Sequence, residues 1–278
     1  MFNVLYLRII ILLIACGIAA YTDHKTGYIY DWVSYPLMAI GLIINIFTLS
    51  LYSILSILAT TALIYLIGLI FYKFGKIGGG DIKLFMGINL ILPTFKSEPF
   101  FLWTLIFASM LSVLFVSVIY LFKLIKLKKI NLKKILIKKF IILKSVCLFL
   151  FYSFFLYFAI EIRELNSWIY LSLLPIFFGL IIMVFEKEIK QYIYLRKKPI
   201  NKLEEGDVIA KEFVSKELNK KMFLEKITVL EEKDLLFIKK RSKMYNIKTL
   251  PIYDNLPRFG PYILLGALFA LVFFGFIF

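Results

Sequence analysis

The stretch "FGKIGGGDIKLFMGI", Phe74 to Ile88, sets three consecutive glycines and Asp81 at the head of an apolar run. That run, Ile82–Pro93, is about a dozen residues long, whereas a helix needs roughly twenty to cross the hydrocarbon core of a bilayer. Whether it crosses fixes the side of everything after it. The longer apolar runs are Phe2–Tyr21, Val33–Leu51, Ser53–Tyr72, Pro99–Phe122, Phe140–Ile160, Trp168–Phe185 and Pro261–Phe278. If all eight runs cross, one face holds Asp23–Asp31, Lys73–Lys76, "KLIKLKKINLKKILIKK" (Lys123–Lys139) and the long polar segment Glu186–Arg258. The other face keeps only short links such as "TFKSEP" and "EIRELNS". Lysine and arginine then gather on the first face, as they do in the cytoplasm. The pattern therefore predicts a short crossing helix at Ile82–Pro93, with Lys83 reaching toward the cytoplasmic head groups.

Composition agrees. The 278 residues are 61% hydrophobic with a mean hydropathy of +0.86, against 45–50% apolar in ordinary soluble domains. The formal charge of +16 sits beside apolar runs, where it meets anionic membrane lipid, so no nucleic-acid partner is expected. Cys16 and Cys147 lie in different apolar runs without metal-ligand spacing and read as small buried side chains. His24 is the sole histidine, which disfavours a multi-histidine metal site or a histidine-based triad. The first run exceeds a usual signal-peptide core and reads as a retained helix.

The expected fold is an all-α polytopic membrane protein of about eight transmembrane helices with a small strand-rich cytoplasmic domain. The expected domains are residues 1–185 (helical), 186–258 (the cytoplasmic insertion) and 259–278 (a last helix). In Glu186–Arg258, the turn signal Glu205-Gly206-Asp207 and the runs "DVIAKEFV", "KITVL" and "DLLFI" suggest strands. Lys123–Lys139 alternates lysine with isoleucine and leucine, and reads either as a basic interfacial helix or as a plain connector.

Asp23 ends the first run and Asp81 begins the fourth, so both fall at the cytoplasmic ends of their helices. They meet if those helices pack together. Two carboxyls beside an apolar bundle cannot both ionise cheaply and would share a proton. One could then act as general base toward water while the other polarises a carbonyl and protonates the leaving amine. That is peptide hydrolysis without metal, cofactor or covalent nucleophile. Gly78, Gly79 and Gly80 would allow close backbone approach and leave room for an extended peptide. Plainer readings stand beside this one: Asp81 as a helix cap, Asp23 as an interfacial charge, the glycines as a flexible loop.

The sequence "GGGDIKL" resembles the GxGD signature of membrane aspartyl proteases, in the form found in prepilin peptidases and archaeal preflagellin peptidases. "TDHKTGYIYD" is similar to the family's first-aspartate region, with Tyr30 where proline is usual. "LPRFGPYILLGALFALVFFG" resembles the final helix of archaeal members, and "LEEGDVIA" their cytoplasmic domain. The family plan has about six helices, so the pair within Phe140–Phe185 looks additional. The resemblance implies a class III signal peptidase of the cell membrane that removes the leader of pilin-like or archaellin precursors at the cytoplasmic face. It carries Asp23 and Asp81 as the catalytic pair and Gly78, Gly80 and Lys83 as supporting positions, with Asp31 the competitor for the first role. No cofactor or metal is implied. The residues alone also allow an ion- or proton-coupled transporter, or a membrane scaffold without catalysis.

Overall fold

The computed structural model describes residues 4–128, 139–163, 167–224, 227–254 and 256–277. Four helices come first: α1 (Val4–Thr26), α2 (Asp31–Thr48), α3 (Leu51–Lys73) and α4 (Gly79–Ile91). A hairpin of β1 (Thr94–Phe95) and β2 (Glu98–Pro99) leads to α5 (Phe100–Lys126), α6 (Lys139–Arg163) and α7 (Leu173–Ile189). The polar segment holds β3 (Leu195–Pro199), β4 (Val208–Ile209), α8 (Lys216–Met222), α9 (Glu232–Met244) and β5 (Thr249–Tyr253), and α10 (Gly260–Ile277) closes the chain. Among the described residues, six helices are long and apolar enough to cross a membrane: α1, α2, α3, α5, α6 and the stretch Tyr170–Tyr194 around α7. With the shorter α4 and α10, each of the eight apolar runs is helical, and the protein is a polytopic helical membrane protein. The middle of the lysine-rich run, 129–138, lies outside the described residues.

The chain forms two compact units, residues 1–108 with 196–278, and residues 109–195. At the heart of the first unit, α4 packs against α1, α2 and α3, while α1 also packs along α10. Leu12, Cys16 and Ala19 of α1, Leu37 of α2, Leu84 and Ile88 of α4, and Ile263 and Ala267 of α10 form its core. Helix α4 is apolar on all sides because protein covers it on all sides: every residue from Gly87 to Ile91 is buried. Small residues let its backbone come close. A Cβ at Gly41 of α2 would lie 2.6 Å from the Leu90 carbonyl carbon, and one at Gly87 would lie 2.7 Å from Leu37 Cδ2.

Thirteen residues of helix reach about 20 Å, short of a core about 30 Å thick, so the terminal carbonyls of α4 are satisfied by protein. Asn45 Nδ2 donates to Leu90 O at 2.8 Å, and Arg8 Nη1 donates to Ile91 O at 2.8 Å. Along the helix, Asn89 Nδ2 donates to Thr61 Oγ1 of α3 at 2.9 Å. The chain then turns back through a two-residue loop, Lys96 and Ser97, both at positive φ as a type I′ hairpin requires.

The polar segment folds around Ile200, Ile209, Met222, Leu230, Ile238 and Leu250. Its sheet has the order β3-β5-β4, with Val208 opposite Tyr253 and Ile209 opposite Ile252. Gly206 makes the expected turn at φ +89°. Two of the three suggested strand runs differ from expectation. "DLLFI" lies in α9: Glu231 N donates to Asp234 Oδ2 at 3.1 Å to start the helix, and Leu235, Ile238 and Ser242 recur at helical spacing on its inner face. "KITVL" supplies only a bridge from Val229 to Val208.

In the second unit α6 packs on α7, and Tyr152 Oη shares a hydrogen bond with Ser172 Oγ at 2.8 Å. Tyr120 and Leu124 of α5 form a small core with Ile189 and Ile193. The helix pair that looked additional in the sequence thus belongs to a unit apart from the one that holds both Asp23 and Asp81.

The close approach of α2 to α4 is open to a direct check. Gly41→Ala forces the two backbones apart and should cost about 1–3 kcal/mol, whereas Gly17→Ala, with no atom within 4 Å of the added Cβ, should be neutral. Melting curves of both variants in detergent test the contrast, and equal curves would refute the packing described.

Candidate active site

The last turns of α1 carry Asp23 and the first turn of α4 carries Asp81. Because α1 and α4 pack together with both residues at the same end, the charge of Asp23 bears directly on Asp81. Asp23 is 6% exposed, and its Oδ2 accepts a 2.8 Å hydrogen bond from Gly260 N, 237 residues later in the chain. Gly260 opens α10, whose N-terminus favours an anion. Pro261 follows without an N–H of its own, as is usual in a first turn. Only glycine fits there: a Cβ would lie 2.9 Å from Asp23 Cβ and 3.0 Å from Asp23 Oδ2. Arg258 is a cationic neighbour of Asp23, and His24 stands next to it in the chain.

Asp81 is held in a parallel way. Gly78 N donates to Asp81 Oδ2 at 3.1 Å, closing the start of α4 on itself. Among the described residues no hydrogen bond reaches Oδ1 of either aspartate. Each carboxyl is thus anchored by one oxygen, leaving the other free of protein donors. Gly80 packs its Cα face against the loop between α1 and α2, since a Cβ there would lie 2.8 Å from both Ile29 Cβ and Ile29 O. Gly80 therefore lets the first turn of α4, which carries Asp81, lie against the loop that follows the helix of Asp23.

Asp31 and Lys83 form a different pair. Lys83 Nζ meets Asp31 Oδ1 at 2.5 Å and lies 5.0 Å from the centre of the Tyr35 ring, so it ties the start of α4 to the start of α2. The side chain reaches a carboxylate rather than the head groups that its position suggested. Asp31, with 54% of its side chain exposed, is committed to this cation, whereas Asp23 is buried and held by an amide.

The polar segment touches both loops. Tyr28 Oη donates to Glu204 Oε2 at 3.4 Å, and Val208 Cγ1 lies 3.3 Å from where a Cβ of Gly75 would be. Lys198 meets Asp207 at 2.9 Å and Glu204 at 4.0 Å. Partial burial works against the Lys198 ammonium, but its hydrogen bond to Asp207 and the charges of Asp207 and Glu204 outweigh this and hold its pKa above the ordinary lysine value. Burial, with Glu204 and Asp207 close by, raises the Tyr28 phenol for the same reasons of desolvation and charge. Among the described residues, no group of three or more His, Cys, Asp or Glu gathers where it could hold a metal ion.

Gly260 and Arg258 are the neighbours of Asp23 that reading along the chain did not single out. The signal available for Gly260 was its place before Pro261 at a helix start, in "PRFGPY". Nothing local ties it to Asp23.

Residues 10–125 match the profile of the type IV leader peptidase family. Over these residues, less than half of its length, the chain is similar to that family. The matched region takes in most of α1, all of α2 to α4, both aspartates and most of α5, and stops before α6 and the polar segment. Among curated proteins, the prepilin peptidase EppA of Methanothermobacter thermautotrophicus is 27% identical over 104 residues, which cover 31% of this chain and 24% of that protein's length. No solved structure matches the chain.

The two kinds of contact around the aspartates should separate in a stability measurement. Gly260→Ala inserts a methyl into a filled space and should cost about 1–3 kcal/mol. Lys83→Met breaks a partly exposed ion pair and should cost under about 1 kcal/mol. The reverse order of melting temperatures would refute this account of the site.

Proposed function

We propose that this chain is a membrane aspartyl endopeptidase that removes the basic N-terminal leader of pilin-like or archaellin precursors. In this reading Asp23 and Asp81 are the catalytic dyad. The observation that carries it is that both stand at one end of the bundle, near enough for the charge of one to act on the other, each anchored through Oδ2 by a backbone N–H and each with Oδ1 unbonded among the described residues. The dyad would act at the cytoplasmic face, to which the lysine-rich gaps assign this end of the bundle. The segment 186–258 is proposed as a cytoplasmic domain seated on the two loops. The family match supports leader peptidase chemistry, and the pilin-like and archaellin substrates follow from the resemblance of the aspartate motifs.

The chemistry follows from two like charges in one site, which together hold one proton near neutrality. The ionised carboxylate takes a proton from water as its oxygen attacks the scissile carbonyl carbon. The protonated partner donates to the carbonyl oxygen, giving a neutral tetrahedral diol. Collapse of the diol breaks the C–N bond as the protonated carboxyl gives its proton to the leaving amine and the ionised one takes a proton from a diol hydroxyl, which becomes the new C=O. Water is consumed, one acid and one amine are released, and the dyad again holds one proton. Gly78 and Gly80 serve as supporting positions by keeping side chains away from Asp81 and from Ile29. Lys83 supports the site indirectly, through Asp31.

The test is cleavage of a pilin-like precursor with a short basic leader, in detergent, by the wild type and by Asp23→Asn, Asp81→Asn and Asp31→Asn. The first two should remain folded and lose roughly 10³-fold or more in kcat/KM, and Asp31→Asn should keep most activity. The wild-type rate should fall at low pH, where both carboxyls are protonated and no base is left, and at high pH, where both are ionised and no acid is left. A folded Asp23→Asn or Asp81→Asn that cuts at the wild-type rate would sink the dyad.

A further inference from the structure

A buried arginine lies far from the aspartates. Arg8 is 7% exposed and stands on α1 about 22 Å along the helix axis from Asp23. Its guanidinium has five N–H donors. Nη1 donates to Ile91 O at 2.8 Å and Nη2 to Thr48 Oγ1 at 2.9 Å, both neutral acceptors. Among the described residues no carboxylate pairs with it. An arginine that merely snorkelled would extend its head group into water. This one is folded into the bundle against the carbonyl end of α4, which offsets its charge only in part, so an anion that reached it would be favoured.

Beside Arg8 is a cavity of about 560 Å³. Thr48, Ser53 and Ser56 bring hydroxyls to its wall, while Leu5, Ile57 and Leu92 make an apolar side. Its depth is informative. With Asp23 at one boundary of a hydrocarbon core about 30 Å thick, Arg8 lies in the opposite leaflet, within a side chain's reach of that leaflet's phosphates. A fixed guanidinium, the hydroxyls of Ser53 and Ser56 and an apolar wall, at the level where lipid phosphate meets acyl chain, describe one kind of occupant.

The geometry points to a binding site for one anionic phospholipid, its phosphate on Arg8 and the hydroxyls of Ser53 and Ser56, and the start of its acyl chain along Leu5, Ile57 and Leu92. The cation provides the selection, because a zwitterionic head group carries its own positive charge to the same place. The site stands apart from the proposed reaction and holds whether or not that reaction is confirmed.

The experiment uses the full chain, purified in dodecyl maltoside and stripped of lipid, with melting curves and native mass spectrometry after adding dioleoylphosphatidylglycerol, dioleoylphosphatidylcholine or inorganic phosphate. Phosphatidylglycerol should raise the wild-type Tm by about 5 °C, with one lipid retained per chain and little effect from the other two additives. Arg8→Gln removes the charge, and Ser56→Phe fills the cavity while leaving Arg8 and its partners Ile91 and Thr48 in place. Each should lower lipid occupancy roughly tenfold or more. If Arg8→Gln fails to fold through loss of its bond to Ile91, Ser56→Phe decides alone. An equal shift with inorganic phosphate would make this a free-anion site and overturn the lipid assignment. An equal shift with phosphatidylcholine, or undiminished binding by folded Ser56→Phe, would overturn it too.

Discussion

Helix α4 is too short to cross a bilayer by itself, and the first unit is arranged around that fact. Backbone carbonyls in hydrocarbon need partners, and the last carbonyls of α4 find them in Asn45 and Arg8 rather than in water. Those bonds require α1 and α2 to lie directly against α4. The requirement is met by Gly41 and Gly87, whose missing side chains let the backbones of α2 and α4 approach. In lipid there is little hydrophobic gain from pairing helices, so close packing and these few hydrogen bonds carry the association.

The same arrangement sets the aspartates. With its far end fixed by Arg8 and Asn45, α4 has its first turn at a defined depth, and Lys83 ties that turn to Asp31 at the start of α2. Gly80 then lies on Ile29, in the loop just after Asp23. Asp23 is held from a third direction by the amide of Gly260. The polar segment stands between α7 and α10 in the chain, and it touches the loops around Tyr28 and Gly75. The amide that holds Asp23 is thereby joined in sequence to a fold that rests on both loops.

How much of this is legible along the chain depends on the range of each interaction. The apolar runs are local, and all eight are helices at nearly the expected bounds. The glycines before Asp81 are local as well, and mark the start of α4. "DLLFI" misleads because five apolar or β-tolerant residues suit either structure, and the decision lies outside the run, in the bond from Glu231 N to the Asp234 side chain. The partners of the aspartates are the least legible. Gly260 and Asp23 are joined only through the packing of the first helix on the last, and no periodicity in either helix encodes that pairing. Lys83 fails in a similar way: a lysine at a membrane boundary suggests snorkelling until the start of α2 brings a carboxylate to it.

The two ends of α4 are finished by opposite means, and the contrast bears on function. At Ile91 a cation closes the helix against carbonyls, the usual complement to a C-terminal dipole, and the surrounding residues are buried. At Asp81 an acid closes the helix on its own first amide, again the expected sign, yet the neighbouring acid Asp23 has been brought to the same place. A fold selected for stability alone would keep two carboxyls apart or give each a lysine, as Asp31 has. Here Lys83 is spent on Asp31, and the paired acids each receive a single amide hydrogen bond, with Arg258 near Asp23 alone. Such a local conflict, inside a bundle whose other contacts agree with one another, has no account in folding alone and is what the proposed dyad would explain.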